Sequence, residues 1–259
     1  MIECGSLEYA QARLQARHGA RADDVAWQRL ETTREYGALL DAARSSPLRA
    51  WVVGLTPRSS AREIEAVMLG HWRAVVDETA GWMPLAWQPA ITWCALAPLL
   101  PALQHLVRGG PVRPWMHDDA LLRVVCAAAP AARAAALGGT AAAALAPAWP
   151  APQTLGTAWW REWESLLPRP LQADDSLRTV AALLQAHGSN FATAPAGSGT
   201  LLRRALQDRL TPWLRRAAAK PAAAFVHLAL CALDLERLRG ELLRRVLFPA
   251  TSAPMAEAA

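Results

Sequence analysis

From Ser60 onward the residues Ile64, Val67, Met68, His71, Trp72, Val75 and Val76 return at intervals of three and four. That spacing lays them along one face of a helix, and Ser60 followed by Glu63 forms the capping box that starts one. Little in the rest of the chain offers a sheet for this stripe to pack against. Ala supplies 57 of the 259 residues, and Leu, Arg, Gln and Glu fill much of the remainder, while β-branched residues are sparse. These are the strongest helix formers. The fold class expected is therefore all-α, a multi-helix bundle with no substantial sheet. With 53% hydrophobic and 19% charged residues the chain is not a disordered polymer, and its length allows a large core without disulfide staples.

Trp is the large core-filler, with 12 Trp against 2 Tyr and 3 Phe. The four cysteines, Cys4, Cys94, Cys126 and Cys231, stand far apart with no CxxC spacing. Neither a disulfide framework nor a zinc site follows; they read as small buried hydrophobes, with Cys4 a loose terminal thiol. Met1 to Glu8 carries Glu3 and Glu8 and lacks a basic segment followed by an apolar one, so no secretory signal is read and a cytoplasmic location is expected. Two stretches, Glu78 to Arg108 and Arg133 to Arg161, hold no charge between their ends. Pro84, Pro89, Pro98 and Pro101 interrupt the first and small residues dominate the second, so both read as buried helices rather than membrane spans.

The chain is expected to form one helical domain over 1–259, with sub-units at 1–110, 111–199 and 200–248 and a disordered tail at 249–259. A first helix runs from about Ser6 to His18, and a second begins at Asp23 and Asp24, whose carboxylates suit a helix N-terminus. Helices over about 85–96 and 98–107 follow the capping-box helix and end at Gly109 and Gly110. The Ala-rich region 118–152, broken by Pro130, Gly138, Gly139, Pro147 and Pro150, predicts short, poorly anchored helices. Trp159, Trp160 and Trp163 belong to a helix whose packing role outweighs a binding platform, because Trp159 and Trp163 share a face. A helix opening at Asp174 and Asp175 is expected to stop at Gly188. Two more complete the chain, one bearing Leu206, Leu210 and Leu214 and a longer one bearing Phe225, Leu228, Leu235, Leu238 and Leu242.

Few residues announce chemistry. Gly197-Ser198-Gly199-Thr200 resembles a phosphate cradle but lacks the GK[ST] ending, and no GxSxG elbow occurs. The six histidines are isolated. His117 beside Asp118 and Asp119 is the one local cluster, and helix capping is the reading favoured over a metal or catalytic centre. No catalytic, cofactor-binding or metal-ligating residue is assigned, and no cofactor is expected. His71 and His227, on or beside apolar stripes, read as hydrogen-bonded core residues.

Charge is less bland. Residues 201–248 hold ten basic side chains against four acidic ones, a surplus of +6 where the whole chain has +5. The candidate partner interface is Arg203, Arg204, Arg215 and Arg216 on the first of the two last helices, with Arg237, Arg239, Arg244 and Arg245 on the second. Such a surface suits an anionic partner. The absence of a helix-turn-helix, an RNP string or a basic tail speaks against nucleic acid.

Both ends of the chain resemble one family. The opening Leu7-Glu8-Tyr9-Ala10-Gln11-Ala12-Arg13-Leu14-Gln15-Ala16-Arg17 resembles the start of the V-type ATPase subunit d family, which includes the equivalent component of the bacterial and archaeal enzymes. Near the other end, Lys220-Pro221-Ala222-Ala223-Ala224-Phe225 leading to Leu233-Asp234-Leu235-Glu236-Arg237-Leu238-Arg239-Gly240 is similar to that family's closing helix. A third segment, Leu100 to Gly109, resembles an internal one, with Pro101 and Gln104 departing from the usual acidic and Asn residues.

The resemblance implies a funnel of repeated helical units without an active site of its own. It further implies a coupling role between the central stalk and the membrane rotor ring of a rotary ATPase, in ion transport, with the protein peripheral to the inner membrane through its partners. Tyr9, Arg13, Arg17, Phe225 and Asp234 are then expected to be structural. A helical adaptor of unrelated descent, binding an anionic surface through the same arginines, is the rival reading. An enzyme centred on His117, Asp118 and Asp119 is a second.

Overall fold

The computed structural model describes residues 6–195 and 197–249; Cys4 and all of the tail but Pro249 lie outside the described residues. Among these the chain is all-α, with no strand. Ser6 caps α1 (Leu7–Gly19) by accepting from the Tyr9 amide, and Asp23 caps α2 (Asp24–Thr32) through the Ala26 amide. After α3 (Tyr36–Arg44) comes a 3-10 turn, Pro47–Val52. The Ser60–Glu63 capping box is formed as the sequence predicts and opens α4 (Ala61–Trp82), where Ile64, Met68, Trp72 and Val76 are buried.

The uncharged stretch that follows is the one segment among the described residues long and apolar enough to cross a membrane, Leu85–Val107. It is not one rod. The 3-10 turn Leu85–Trp87, α5 (Gln88–Trp93), the 3-10 turn Cys94–Leu99 and α6 (Leu100–Val107) succeed one another. Pro98 lies inside the second turn, where a missing amide and the ring's clash with the preceding turn prevent a regular helix. This segment folds back against α4 and α9 (Leu155–Ser165). Gly109, at φ 77°, ends the run in the left-handed region that glycine adopts without strain.

The middle is as short-stepped as expected, with α7 (Ala120–Ala127), α8 (Arg133–Gly138) and 3-10 turns at Ala143–Ala148 and Pro152–Thr154. It differs in being firmly anchored: Leu122, Val125, Leu137, Ala142 and Leu145 are all fully buried. Large side chains every few residues suffice to pin elements of two turns to a core. The helix that was expected to stop at Gly188, α10 (Asp175–Thr193), runs five residues further. Gly188 does not take a positive φ, and a glycine without the left-handed turn only weakens a helix.

Two long helices close the fold, α11 (Gly199–Arg216) and α12 (Ala222–Leu247). The 26-residue α12 is the axis of the molecule, packed against α4, α11, α1, α10 and α3. Its first half is buried on every side, with Ala222, Ala223 and Ala224 letting neighbours approach closely. The core is contiguous from Ala10 to Leu242. Within it Trp93, Trp159, Trp160, Trp163 and Phe225 form a ladder with successive ring centroids 6.5, 5.0, 5.3 and 5.2 Å apart. Trp159 and Trp163 are thus core residues, and the edge-to-face contacts along the ladder are the favourable aromatic geometry.

Candidate protein interface

The motif residues from the two ends of the chain share one side of the fold. On α1, Arg13 and Arg17 lie over the Trp82 ring at 5.3 and 6.0 Å, and Arg17 pairs with Glu78 of α4. One turn further, Arg21 donates from Nε and Nη2 to the two carboxylate oxygens of Asp234 at 2.7 and 2.8 Å. Asp234 is buried and Arg21 largely so, and the fork geometry satisfies both oxygens of the acid. Tyr9 is half-buried against the core, and Phe225 is buried on Trp163. Arg13, Arg17 and the Arg21–Asp234 pair hold α1 to α4 and α12, while Phe225 joins α12 to α9.

Three of the four arginines of α12 are engaged with other elements of the fold, and Arg244 pairs on the surface with Glu241 of its own helix. Arg237 donates to Glu31 at 2.7 Å with its guanidinium 4.4 Å over the Trp27 ring. Arg239 pairs with Glu65 at 2.7 Å, and Arg244 with Glu241 at 2.9 Å. Arg245 is a core residue, only 4% exposed. It donates to the carbonyls of Thr33, Leu30 and Glu31 at 2.6, 3.0 and 3.1 Å, and to the Glu241 carboxylate at 2.6 Å. Of the carbonyls at the end of α2, that of Leu30 already accepts from the Thr33 amide at 3.2 Å, whereas those of Glu31 and Thr33 lack a helix donor, and Arg245 supplies it. Burial pushes the Glu241 carboxyl upward, but its bonds from Arg245 and Arg244 outweigh this and hold it below the usual range. Arg245 therefore leaves the expected interface set: a guanidinium enclosed by five acceptors, the Glu241 carbonyl at 2.8 Å being the fifth, is not presented to a partner.

On α11 the situation is reversed. Leu206, Leu210 and Leu214 face inward, and at about 100° per residue the exposed side chains fall in two rows. Arg204 and Arg215 flank the outward direction on one side, Arg209 and Arg216 on the other. Among the described residues none of the four has a carboxylate closer than the 3.9 Å between Arg204 and Asp24. Arg216 rests on Trp213 at 5.9 Å and Arg203 on Phe191 at 5.6 Å, contacts that leave the charge uncompensated. Asp208 is the lone acid of this helix. Sequence reasoning counts Arg209 in the basic region without placing it in the interface; its place seven residues before Arg216, nearly two turns, is the available signal.

The remaining candidates are dispersed. Asp119 is buried, caps α7 by accepting from the Leu122 amide at 2.8 Å, and pairs with Arg73. Asp118 accepts two bonds of 2.6 Å from Arg62, which hold its carboxyl below the usual range. His117 is exposed, so the three side chains do not converge. Among the described residues no three His, Cys, Asp or Glu side chains are grouped to hold a metal ion. His71 bonds the Val53 carbonyl at 3.0 Å. Gly197 to Thr200 forms the turn into α11, with Gly197 at φ 91°. Compared with protein-family models, with curated proteins and with solved structures, the chain shows no significant match.

Proposed function

We propose that this chain is a non-catalytic coupling subunit of a rotary V-type ATPase-like complex, linking the central stalk to the membrane rotor ring. In this reading it meets an acidic protein surface through the outer face of α11. The observation that carries the interface is the division between the last two helices. Arg237, Arg239 and Arg245 of α12 are held by Glu31, Glu65 and Glu241, whereas on α11 Arg209, Arg215 and Arg216 project with no carboxylate in contact and Arg204 meets Asp24 only at 3.9 Å. Charge that the fold does not use steers an oppositely charged partner.

The coupling role itself rests on the resemblance at both chain ends, which includes Arg13, Arg17 and Asp234 among the residues that clamp α1 to α4 and α12. A part that passes torque between partners must be stiff, and a contiguous, tryptophan-laddered core resists deformation. The funnel of repeated helical units, the cytoplasmic face of the membrane and the absence of a cofactor belong to this same reading.

The test is a mild-detergent pull-down from native membranes with a C-terminal tag, comparing the natural chain with Arg209→Glu/Arg216→Glu. Recovery of rotor-ring and stalk proteins, lost in the charge-reversed variant, is the expected result. A clean monomer from the soluble fraction refutes the coupling role. Binding of the isolated chain to bare anionic vesicles or nucleic acid, with steep salt dependence, would replace it by an adaptor for anionic surfaces.

A further inference from the structure

Four elements from both ends of the chain, α1, the Pro47–Val52 turn, α4 and α12, enclose a half-open pocket of about 350 Å³. Its mouth carries Arg17 and Glu78, paired with each other yet 52% and 36% exposed. Only one guanidinium nitrogen and one carboxylate oxygen take part in that contact, so each group keeps hydrogen-bonding capacity toward solvent. One wall is Trp51, set edge-on to His71 with ring centroids 6.4 Å apart. The floor is His227 and Cys231.

His227 distinguishes this pocket from a packing gap. It is 4% exposed, and among the described residues its one hydrogen-bonding neighbour is the Cys231 thiol, 3.6 Å from Nε2 and 3.9 Å from Nδ1. A thiol is a weak partner, and it can serve one ring nitrogen at most. Burial first, then the charges of Arg21, His18 and Arg17, push the imidazole down to about 4, so at neutral pH it offers one N–H and one bare nitrogen. Asp234 on the same wall is already occupied by Arg21. A buried polar group without a good partner is uncommon in a native interior, and here it lines an accessible space.

We propose that this pocket binds a free α-amino acid. Its carboxylate meets Arg17, its ammonium meets Glu78, and its side chain enters against Trp51 with a polar atom on His227. The mouth is what selects a zwitterion: a lone anion is opposed by Glu78 and a lone cation by Arg17, whereas adjacent opposite charges match both. The volume sits at the lower end of small-molecule pockets, which suits one amino acid. This inference goes beyond the coupling role and does not depend on it.

The test is isothermal titration calorimetry of the full chain with L-tryptophan, L-histidine and L-glutamine. Tryptamine and indole-3-propionate serve as analogues carrying a single charge. Saturable binding of at least one amino acid is expected, weakened roughly tenfold or more when either charge is missing or in Arg17→Gln, as for loss of a charge-assisted hydrogen bond. Ala74→Met, at a solvent-exposed position on the rim, is expected to abolish binding while leaving the circular dichroism spectrum unchanged. Absence of saturable heat with all three amino acids would overturn the proposal. So would a singly charged analogue binding as tightly as its zwitterion, or unimpaired binding by a folded Ala74→Met.

Discussion

Replacing Arg245 by Met keeps the length of the side chain and removes the guanidinium, which separates two roles that a count of basic residues cannot distinguish. In the native protein that guanidinium satisfies the carbonyls of Leu30, Glu31 and Thr33 at the end of α2 and helps hold Glu241. Glu241 retains Arg244 at 2.9 Å and the Leu30 carbonyl retains the Thr33 amide at 3.2 Å, so the loss falls mainly on the Glu31 and Thr33 carbonyls. At about 1 kcal/mol for each acceptor left without a donor, the variant should lose about 2 kcal/mol. In a chain of this size that corresponds to a drop of about 4–8 °C in Tm. Urea unfolding followed by circular dichroism measures it, with an unchanged slope confirming that the native state still folds compactly. Arg209→Met, on the exposed face of α11, is the control and should stay within about 0.5 kcal/mol. A loss below about 1 kcal/mol for Arg245→Met, or equal losses for the two variants, would refute the assignment and return Arg245 to the accessible surface.

Three further outcomes are expected. His227 has a folded pKa of about 4 against 6.5 in the open chain, so the unfolded state binds the extra proton. Its contribution is full above pH 6.5 and is lost as pH falls from 6.5 toward 4, by an amount on the order of 3 kcal/mol. His18, lowered by burial and by Arg21 and Arg215, adds in the same direction. Urea midpoints at pH 7 and pH 5 should therefore converge in His227→Gln, and an unchanged pH dependence would count against the burial argument. Ser60→Ala removes the cap of α4 while Glu63 remains, and should lower stability by about 1 kcal/mol in the same unfolding assay; no change would mean the first turn of α4 is held by packing alone. Burial pushes the Cys94 and Cys231 thiols up to about 12, so among the described cysteines the half-buried Cys126 should react first with a thiol reagent in the native protein. Peptide mapping that finds Cys94 or Cys231 modified earlier would contradict the burial.

What the sequence determined on its own is local. The caps at Ser6, Asp23, Ser60 and Asp174 and the stripe on α4 act within one or two turns, where spacing alone places a side chain against the next amide or on the same face. Glycine was the misleading local sign: Gly188 and Gly109 look alike in sequence, and only the backbone angle separates a helix residue from a stop. The tertiary structure decided which charges are free. Arg21 meets Asp234, Arg237 meets Glu31 and Arg239 meets Glu65 across 213, 206 and 174 positions of chain. No periodicity encodes such partners, because they depend on how α12 threads between α1, α2 and α4. The same packing gathers Arg17, Trp51, Glu78 and His227 around one pocket. Eight arginines that read alike in the sequence thus divide by environment: Arg237, Arg239 and Arg245 of α12 are held against carboxylates and carbonyls brought from the other end of the chain, Arg244 pairs on the surface within its own helix, and those of α11 are left facing water.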